Sequence, residues 1–193
     1  MRRLGRAIGI VAIIGAVIAA VWWFGVRSDE ASCCAEAPPR QDMATTDAPA
    51  RPADAFAVTV SSVWDGDTLR ARVTTPHDLI RTTDDVRIRL IGIDTPEVSD
   101  PAECWGAEAT AHLTSLAPEG AVLWASFDVD PLDRYERYLL YLWTEDGRFI
   151  NGELIAAGDA ETLTVAPNEE YAALFAAAEQ TARASGAGQW GAC

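Results

Sequence analysis

The sequence lacks lysine and has few cations of any kind. All 15 basic residues are arginine, against 29 aspartate and glutamate residues, and the formal net charge of the 193-residue chain is −14. Nine arginines and 23 acidic residues lie between residues 56 and 193, so this part carries the whole charge excess. An acidic domain repels polyanions at long range, which argues against tight, salt-independent binding to nucleic acid. Adaptation for solubility or high salt explains the excess equally well.

Histidine and cysteine are also scarce, with two and four residues. Neither His77 nor His112 keeps zinc-like spacing with a cysteine, which argues against a zinc site. We expect His77 in a loop and His112 on the surface of a helix. Tryptophan is more abundant, and we expect four of its residues to pack in the protein core: Trp64, Trp124, Trp143 and Trp190.

Long apolar runs are absent except near the N-terminus. Residues 7–26 carry no charge and follow the basic residues 1–6, which contain three arginines. This length and charge order predict a transmembrane signal-anchor, with residues 1–6 in the cytoplasm and the rest of the chain outside the cell membrane. A cleaved signal peptide is the alternative, and the protein would then be secreted. Residues 27–55, rich in alanine and proline, are predicted to form a disordered tether before a domain at 56–193.

Export would place the four cysteines in an oxidising compartment, where disulfides persist. A bridge between Cys104 and Cys193 would close most of the domain and stabilise it by about 4–5 kcal/mol through the unfolded chain. Cys33 and Cys34 lie in the predicted tether and are candidates for a disulfide between two chains. Apart from that covalent dimer, we expect a monomer.

Two acidic motifs stand out in the domain. Residues 65–68 separate two runs of β-formers, as a tight turn does. Residues 86–97 begin with the alternation of a half-buried strand and end in oxygen-bearing side chains. Asp67 and Asp94, with backbone oxygens and water, suit a hard divalent cation, calcium more than zinc, because no histidine or cysteine lies nearby. With Arg89 and the spare carboxylate of Glu97, the group offers what phosphodiester hydrolysis requires. The alternative is a hairpin whose aspartates cap turns.

The rest of the domain alternates short strands with a few helices. The pattern predicts an α+β fold dominated by β structure, a five-stranded Greek-key barrel of the OB type with about three packed helices. The predicted strands are 56–63, 67–74, 86–93, 121–127 and 137–144, and the predicted helices are 103–116, 151–157 and 169–184.

Three motifs resemble the staphylococcal nuclease (thermonuclease) family in order and spacing: DGDT at 65–68, RLIGIDTPE at 89–97 and DRYERYLLYLW at 133–143. The likeness covers roughly residues 56–190. It implies the OB-type barrel, calcium as cofactor, and hydrolysis of DNA, RNA or both. By position, it implies the calcium ligands Asp67, Asp94 and the carbonyl of Thr95, the general base Glu97, and the phosphate-binding residues Arg89 and Arg137.

The same likeness implies three supporting residues. Asp65 would orient the metal ligands without binding the metal itself. Tyr135 corresponds to a tyrosine near the bound phosphate, and the charged loop 128–136 would bring Arg134 towards the site with it.

Two departures from the family pattern concern affinity and specificity. Glu136 stands where the family usually has glycine, and a carboxylate at this position could pair with Arg137 and withdraw it from phosphate. Residues 161–168 contain no tyrosine, although relatives tend to place nucleotide-packing tyrosines there. Because base stacking contributes about 1–3 kcal/mol per base, we expect weaker binding at that subsite. The acidic charge of the domain favours endonucleolytic attack on single-stranded or flexible substrate. The alternatives are a catalytically inactive binding module and a calcium-stabilised structural domain.

Overall fold

The computed structural model describes residues 48–193. The predicted cytoplasmic segment, the predicted signal-anchor, most of the predicted tether and the cysteines 33 and 34 lie outside the described residues. Between residues 48 and 193, no helix has the length and hydropathy needed to cross a bilayer.

Five strands form a closed barrel in the order β1–β2–β3–β6–β5. Strand β1 pairs antiparallel with both β2 and β5, whereas β3 and β6 are parallel. Two further short strands, β4 and β7, make a separate antiparallel sheet. The strands are β1 Phe56–Val63, β2 Thr68–Val73, β3 Val86–Leu90, β4 Gly92–Asp94, β5 Val122–Ser126, β6 Tyr138–Thr144 and β7 Glu161–Leu163.

Four helices accompany the strands: α1 Gly106–Leu116, α2 Ile150–Ala156, α3 Ala172–Ser185 and the short α4 Gln189–Ala192. The first three correspond to the predicted helices. Apolar residues from alternate strand positions fill the barrel, because successive strand side chains point to opposite faces. The five-stranded OB-type barrel with three packed helices is thus confirmed.

The strand predicted at 86–93 is divided in two. Strand β3 ends at Leu90, and the chain turns through Gly92, whose φ of 79° is open to glycine but strained for other residues. A Cβ at this position would also meet the ring of Phe175 at 2.4 Å. The turn lets β4 leave the barrel and pair with β7, which the sequence pattern did not predict.

The end of the predicted tether lies against the barrel. The indole of Trp143 donates to the carbonyl of Pro49 at 3.0 Å, and the guanidinium of Arg51 lies 4.0 Å from the ring centre of Trp124. Residues 48–51 thus contact the outside of β5 and β6.

Two expectations about single side chains are wrong. Trp64 is 72% exposed, because it stands at the tip of the turn after β1 rather than in the core. His112 is buried, and its Nδ1 lies 2.5 Å from a carboxylate oxygen of the fully buried Asp159. The indole of Trp105 donates to the other oxygen of that carboxylate at 2.7 Å. A surface position would have left Asp159 with one partner fewer.

A disulfide joins Cys104 to Cys193, with their Cα atoms 6.0 Å apart. It links the loop before α1 to the C-terminal residue across 89 positions of sequence.

Candidate active site

The turn between β1 and β2 is packed against the segment that follows β4. A Cβ on Gly66 would lie 2.7 Å from the hydroxyl oxygen of Thr95, so only glycine permits this approach. Asp67 Oδ2 accepts hydrogen bonds from the backbone N–H and the hydroxyl of Thr95, at 3.0 and 3.2 Å. Asp65 accepts from the backbone N–H of Asp67 at 3.1 Å. The two acidic motifs therefore meet.

Arg89, at the end of β3, connects the turn between β1 and β2 with the end of β4. Its Nη1 donates to the carbonyls of Leu90 and Ile93 at 3.0 and 2.8 Å, which fixes the guanidinium across the turn into β4. Its Nη2 lies 2.7 Å from Asp94 Oδ1 and 3.1 Å from Asp67 Oδ2. Two carboxylates thus contact the same nitrogen atom.

Negative charge at this point is only partly compensated. Burial and the neighbouring Asp67 raise the pKa of Asp65 to about 6. Burial also raises the pKa of Asp94, assisted by Asp67 and Glu103 and opposed by Arg89 and Arg137. A bound cation would relieve this crowding, because opposite charge favours the ionised carboxylates.

The donor set fits a hard divalent cation. Two carboxylates stand together, and the backbone of Thr95 is fixed next to them by its bonds to Asp67. Between residues 48 and 193, no group of three or more histidine, cysteine or acidic side chains is placed to hold a metal. Backbone oxygen and water would therefore have to complete the coordination, as the hard cations calcium and magnesium allow.

The loop between β5 and β6 delivers a second arginine. The carboxylate of Asp133 accepts from the backbone N–H groups of Tyr135 and Arg137 at 2.8 and 2.9 Å, and from Arg137 Nε at 2.6 Å. Burial works to raise the pKa of Asp133, but these hydrogen bonds prevail and lower it. Arg134 and Arg137 lie 4.7 and 5.4 Å from the ring centre of the exposed Tyr135.

The carboxylate that pairs with Arg137 in the structure is that of Asp133 rather than that of Glu136. Glu136 has a φ of 60°, in the left-handed region that favours glycine. At that φ the turn closes through hydrogen bonds between Asp133 and the backbone of residues 136 and 137. The Glu136 side chain lines a different cavity, described below.

A cavity of about 460 Å³ lies between the two arginines. Arg89, Arg134, Tyr135 and Arg137 line its polar side, and Leu163, Val165 and Pro167 contribute an apolar side. The segment 161–168, which contains no tyrosine, thus contributes aliphatic side chains to this cavity.

Residues 87–192 match a family model described as staphylococcal nuclease homologue. A thermonuclease from Staphylococcus intermedius is similar to this chain, with 32% identity over 127 residues, which span 64% of this chain and 70% of that protein. The chain belongs to the staphylococcal nuclease family.

Glu97 is the one proposed catalytic residue of this nuclease-family chain that stands apart. It is exposed, and it is not among the described residues that line the cavity between the arginines. Its backbone is fixed, because its N–H donates to the carboxylate of Glu103 at 2.9 Å and its carbonyl accepts from the Glu103 N–H at 2.8 Å. Cys104 then ties the same loop to the C-terminus.

Two residues of the site are not predicted by the sequence pattern. Asp133 is predicted only as part of a charged loop, and its spacing of four from Arg137 indicates an ion pair on a helix but not in a loop. Glu103 was assigned to a helix, whereas it lies before α1 and holds the backbone of Glu97. No pattern in the sequence indicates the contact between Glu103 and the backbone of Glu97.

Proposed function

We propose that this protein is a calcium-dependent nuclease that hydrolyses phosphodiester bonds of DNA, RNA or both outside the cytoplasm. One observation carries the proposal. Arg89 contacts both Asp67 and Asp94, and Arg89 and Arg137 line the same cavity. Two carboxylates and two guanidinium groups therefore converge beside one cavity, within a chain of the nuclease family.

Calcium would be held by Asp67, Asp94 and the carbonyl of Thr95, and it would supply positive charge for the phosphate oxygens. The protein groups would do the positioning. Arg89 and Arg137 would each offer a fork of N–H donors to the phosphate, and a guanidinium fork matches phosphate geometry with two parallel hydrogen bonds.

Glu97 would take a proton from the attacking water as general base. It is exposed and therefore reachable by water, and it follows the proposed metal ligand Thr95 by two residues in sequence. Asp65 would keep Asp67 oriented through its hydrogen bond to the Asp67 backbone. Asp133 would hold Arg137 at the cavity through its bond to Nε.

The acidic charge of the domain supports a substrate that can adapt to the site, such as single-stranded or flexible nucleic acid cut within the chain. The apolar wall of Leu163 and Val165 offers less stacking area than aromatic rings, and stacking contributes about 1–3 kcal/mol per base. The predicted anchor at 7–26 supports a location at the outer side of the cell membrane, or secretion if the segment is cleaved.

The test is release of acid-soluble nucleotides from denatured DNA and from RNA by the full chain purified in detergent. Calcium should support release and a chelator should abolish it. Glu97→Gln should lower kcat about 10²–10⁴-fold, the usual contribution of a general base. Glu119→Gln, at another exposed glutamate, is the matched control and should leave the rate unchanged.

Each alternative has its own outcome. An inactive binding module would bind oligonucleotides with and without Glu97→Gln and release nothing. A calcium-stabilised structural domain would gain thermal stability with calcium and show neither binding nor release.

A further inference from the structure

The arginines of the domain are concentrated on one side of it. Residues 56–193 contain nine arginines, and six of them line one of two cavities. Three line the cavity of the proposed active site. The other three, Arg70, Arg81 and Arg87, line a second cavity of about 270 Å³, together with Tyr138 and two acidic residues, Asp85 and Glu136. Two thirds of the arginines of an acidic domain thus lie at these two cavities.

The register of β2 and β3 places Arg70 and Arg87 on the outer face of the barrel, and Arg81 lies in the loop between these two strands. Arg70 is paired with Arg87, and Thr68 is paired with Arg89. The intervening Ile88 is fully buried in the core. Arg87 and Arg89 therefore share the outer face, about 7 Å apart along the strand. This distance is similar to that between successive phosphates of a nucleic-acid strand.

The second cavity adjoins the proposed active site. Arg87 Nη2 donates to the carbonyl of Tyr135 at 2.6 Å, and Tyr135 lines the first cavity. Leu132 lines both cavities. A chain that leaves the first cavity across this boundary would meet Arg87 and then Arg70.

The acidic partners of this face are exposed and exchangeable. Arg70 pairs with Asp85 at 2.5 Å and Arg72 with Asp84 at 3.4 Å, and every side chain in these pairs is at least 39% exposed. Exposed ion pairs contribute little to stability, so a phosphate can replace the carboxylates at small cost. Arg87 donates to a neutral carbonyl, which leaves its charge available to an anion.

We propose that the outer face of β2 and β3, with Arg70, Arg81 and Arg87, binds phosphates of a single-stranded polynucleotide beyond the bond that is cut. This inference rests on the proposed function, because it assigns a second subsite to the same substrate. The ligand group is the phosphodiester, which DNA and RNA share. Guanidinium groups bind it by paired hydrogen bonds and retain their charge at any physiological pH.

The test compares the full chain with the double variant Arg70→Ala/Arg81→Ala. Two substrates are used, a single-stranded 20-nucleotide DNA or RNA and a dinucleotide with one phosphodiester bond. The KM for the 20-mers should rise about tenfold, as expected for the loss of two exposed charge contacts. The dinucleotide should be cleaved as before, because it does not reach the second cavity.

The salt dependence gives a second readout. The slope of log Kobs for the 20-mer against log salt should fall in size by about 1.4, since each phosphate contact on a single strand contributes about 0.7. Arg51→Ala/Arg183→Ala removes the same charge elsewhere and is the matched control. Arg70→Gln/Arg81→Gln keeps the polar stems and replaces the alanine variant if that variant does not fold.

Several outcomes would overturn the proposal. These are equal losses on the 20-mer and the dinucleotide, an equal loss in the control, or a loss confined to DNA or to RNA. If the unaltered protein cleaves nothing, the proposed function fails, and fluorescence anisotropy with labelled 20-mers then decides on the second subsite alone. Weaker binding and a smaller salt slope in the double variant would support it, and unchanged binding would refute it.

Discussion

Glu136 offers a sharp test of the difference between a backbone effect and a charge effect. Its φ of 60° lies in the left-handed region, which costs a residue with a Cβ roughly 1–2 kcal/mol. Glycine avoids that cost but loses about 0.5–1 kcal/mol through its freer unfolded chain. Glu136→Gly should therefore raise the free energy of unfolding by about 0.5–1 kcal/mol.

The melting temperature should then rise by about 2–3 °C, the scale expected for a domain of this size. Glu136→Ala removes the same carboxylate and keeps the strained φ, so its stability should stay close to that of the unaltered protein. Thermal unfolding followed by circular dichroism, and urea unfolding at one pH and salt concentration, measure both variants. Equal stabilisation by alanine and glycine would refute the reasoning, because repulsion by the carboxylate would then be the cause.

The same pair of variants separates Glu136 from Arg137. The structure pairs Arg137 with Asp133, so cleavage of a dinucleotide should be the same in both variants and in the unaltered protein. Cleavage of a long single strand should improve equally in both, because each variant removes one negative charge from the second cavity. Faster cleavage of the dinucleotide would instead mean that Glu136 restrains Arg137.

Three further predictions concern contacts that hold the site. Asp133→Asn should lower stability at pH 7. The pKa of Asp133 is depressed in the folded state, so its stabilisation is present above the unfolded pKa of about 3.9 and disappears as pH falls through the folded pKa. The urea midpoints of the variant and the unaltered protein should therefore differ at pH 7 and converge in acid. His112→Ala should lower the free energy of unfolding by about 3 kcal/mol, because the carboxylate of Asp159 is fully buried and loses a partner. A loss under about 1 kcal/mol in urea unfolding would contradict this expectation. Cys104→Ser/Cys193→Ser should lower stability by about 4–5 kcal/mol and should also lower kcat, because the loop that carries the proposed general base Glu97 is released. Full activity in the variant would contradict the second expectation.

The local sequence pattern was sufficient to predict the barrel. The alternation in residues 56–63 and 68–73 corresponds to buried and outward side chains, and the breaks at Pro118 and Gly186 lie just beyond α1 and at the end of α3. The division of β3 from β4 could not be predicted in this way. It depends on the left-handed φ of Gly92 and on the ring of Phe175, which packs there from 83 positions downstream.

The sequence indicated which residues belong to the site better than it indicated the contacts between them. The pairing of Arg137 with Asp133 depends on a turn of the loop that Asp133 itself closes, whereas the sequence pattern drew attention to the adjacent Glu136. Adjacency in sequence does not identify the partner of Arg137, because the positive φ of Glu136 directs that residue to another cavity. The burial of His112 required knowledge of Asp159, which is 47 residues away and has no periodic relation to it.

Arg89 shows why the family motif is so compact. Its Nη1 donates to the carbonyls of Leu90 and Ile93, on the two sides of the turn at Gly92, and its Nη2 faces Asp67 and Asp94. One buried guanidinium thus closes the turn and also gathers the carboxylates. Because a buried charge is costly without partners, the acids are as necessary to the arginine as the arginine is to them. The residues proposed for chemistry are therefore also the residues that hold the end of β3, and neither role can be removed without the other.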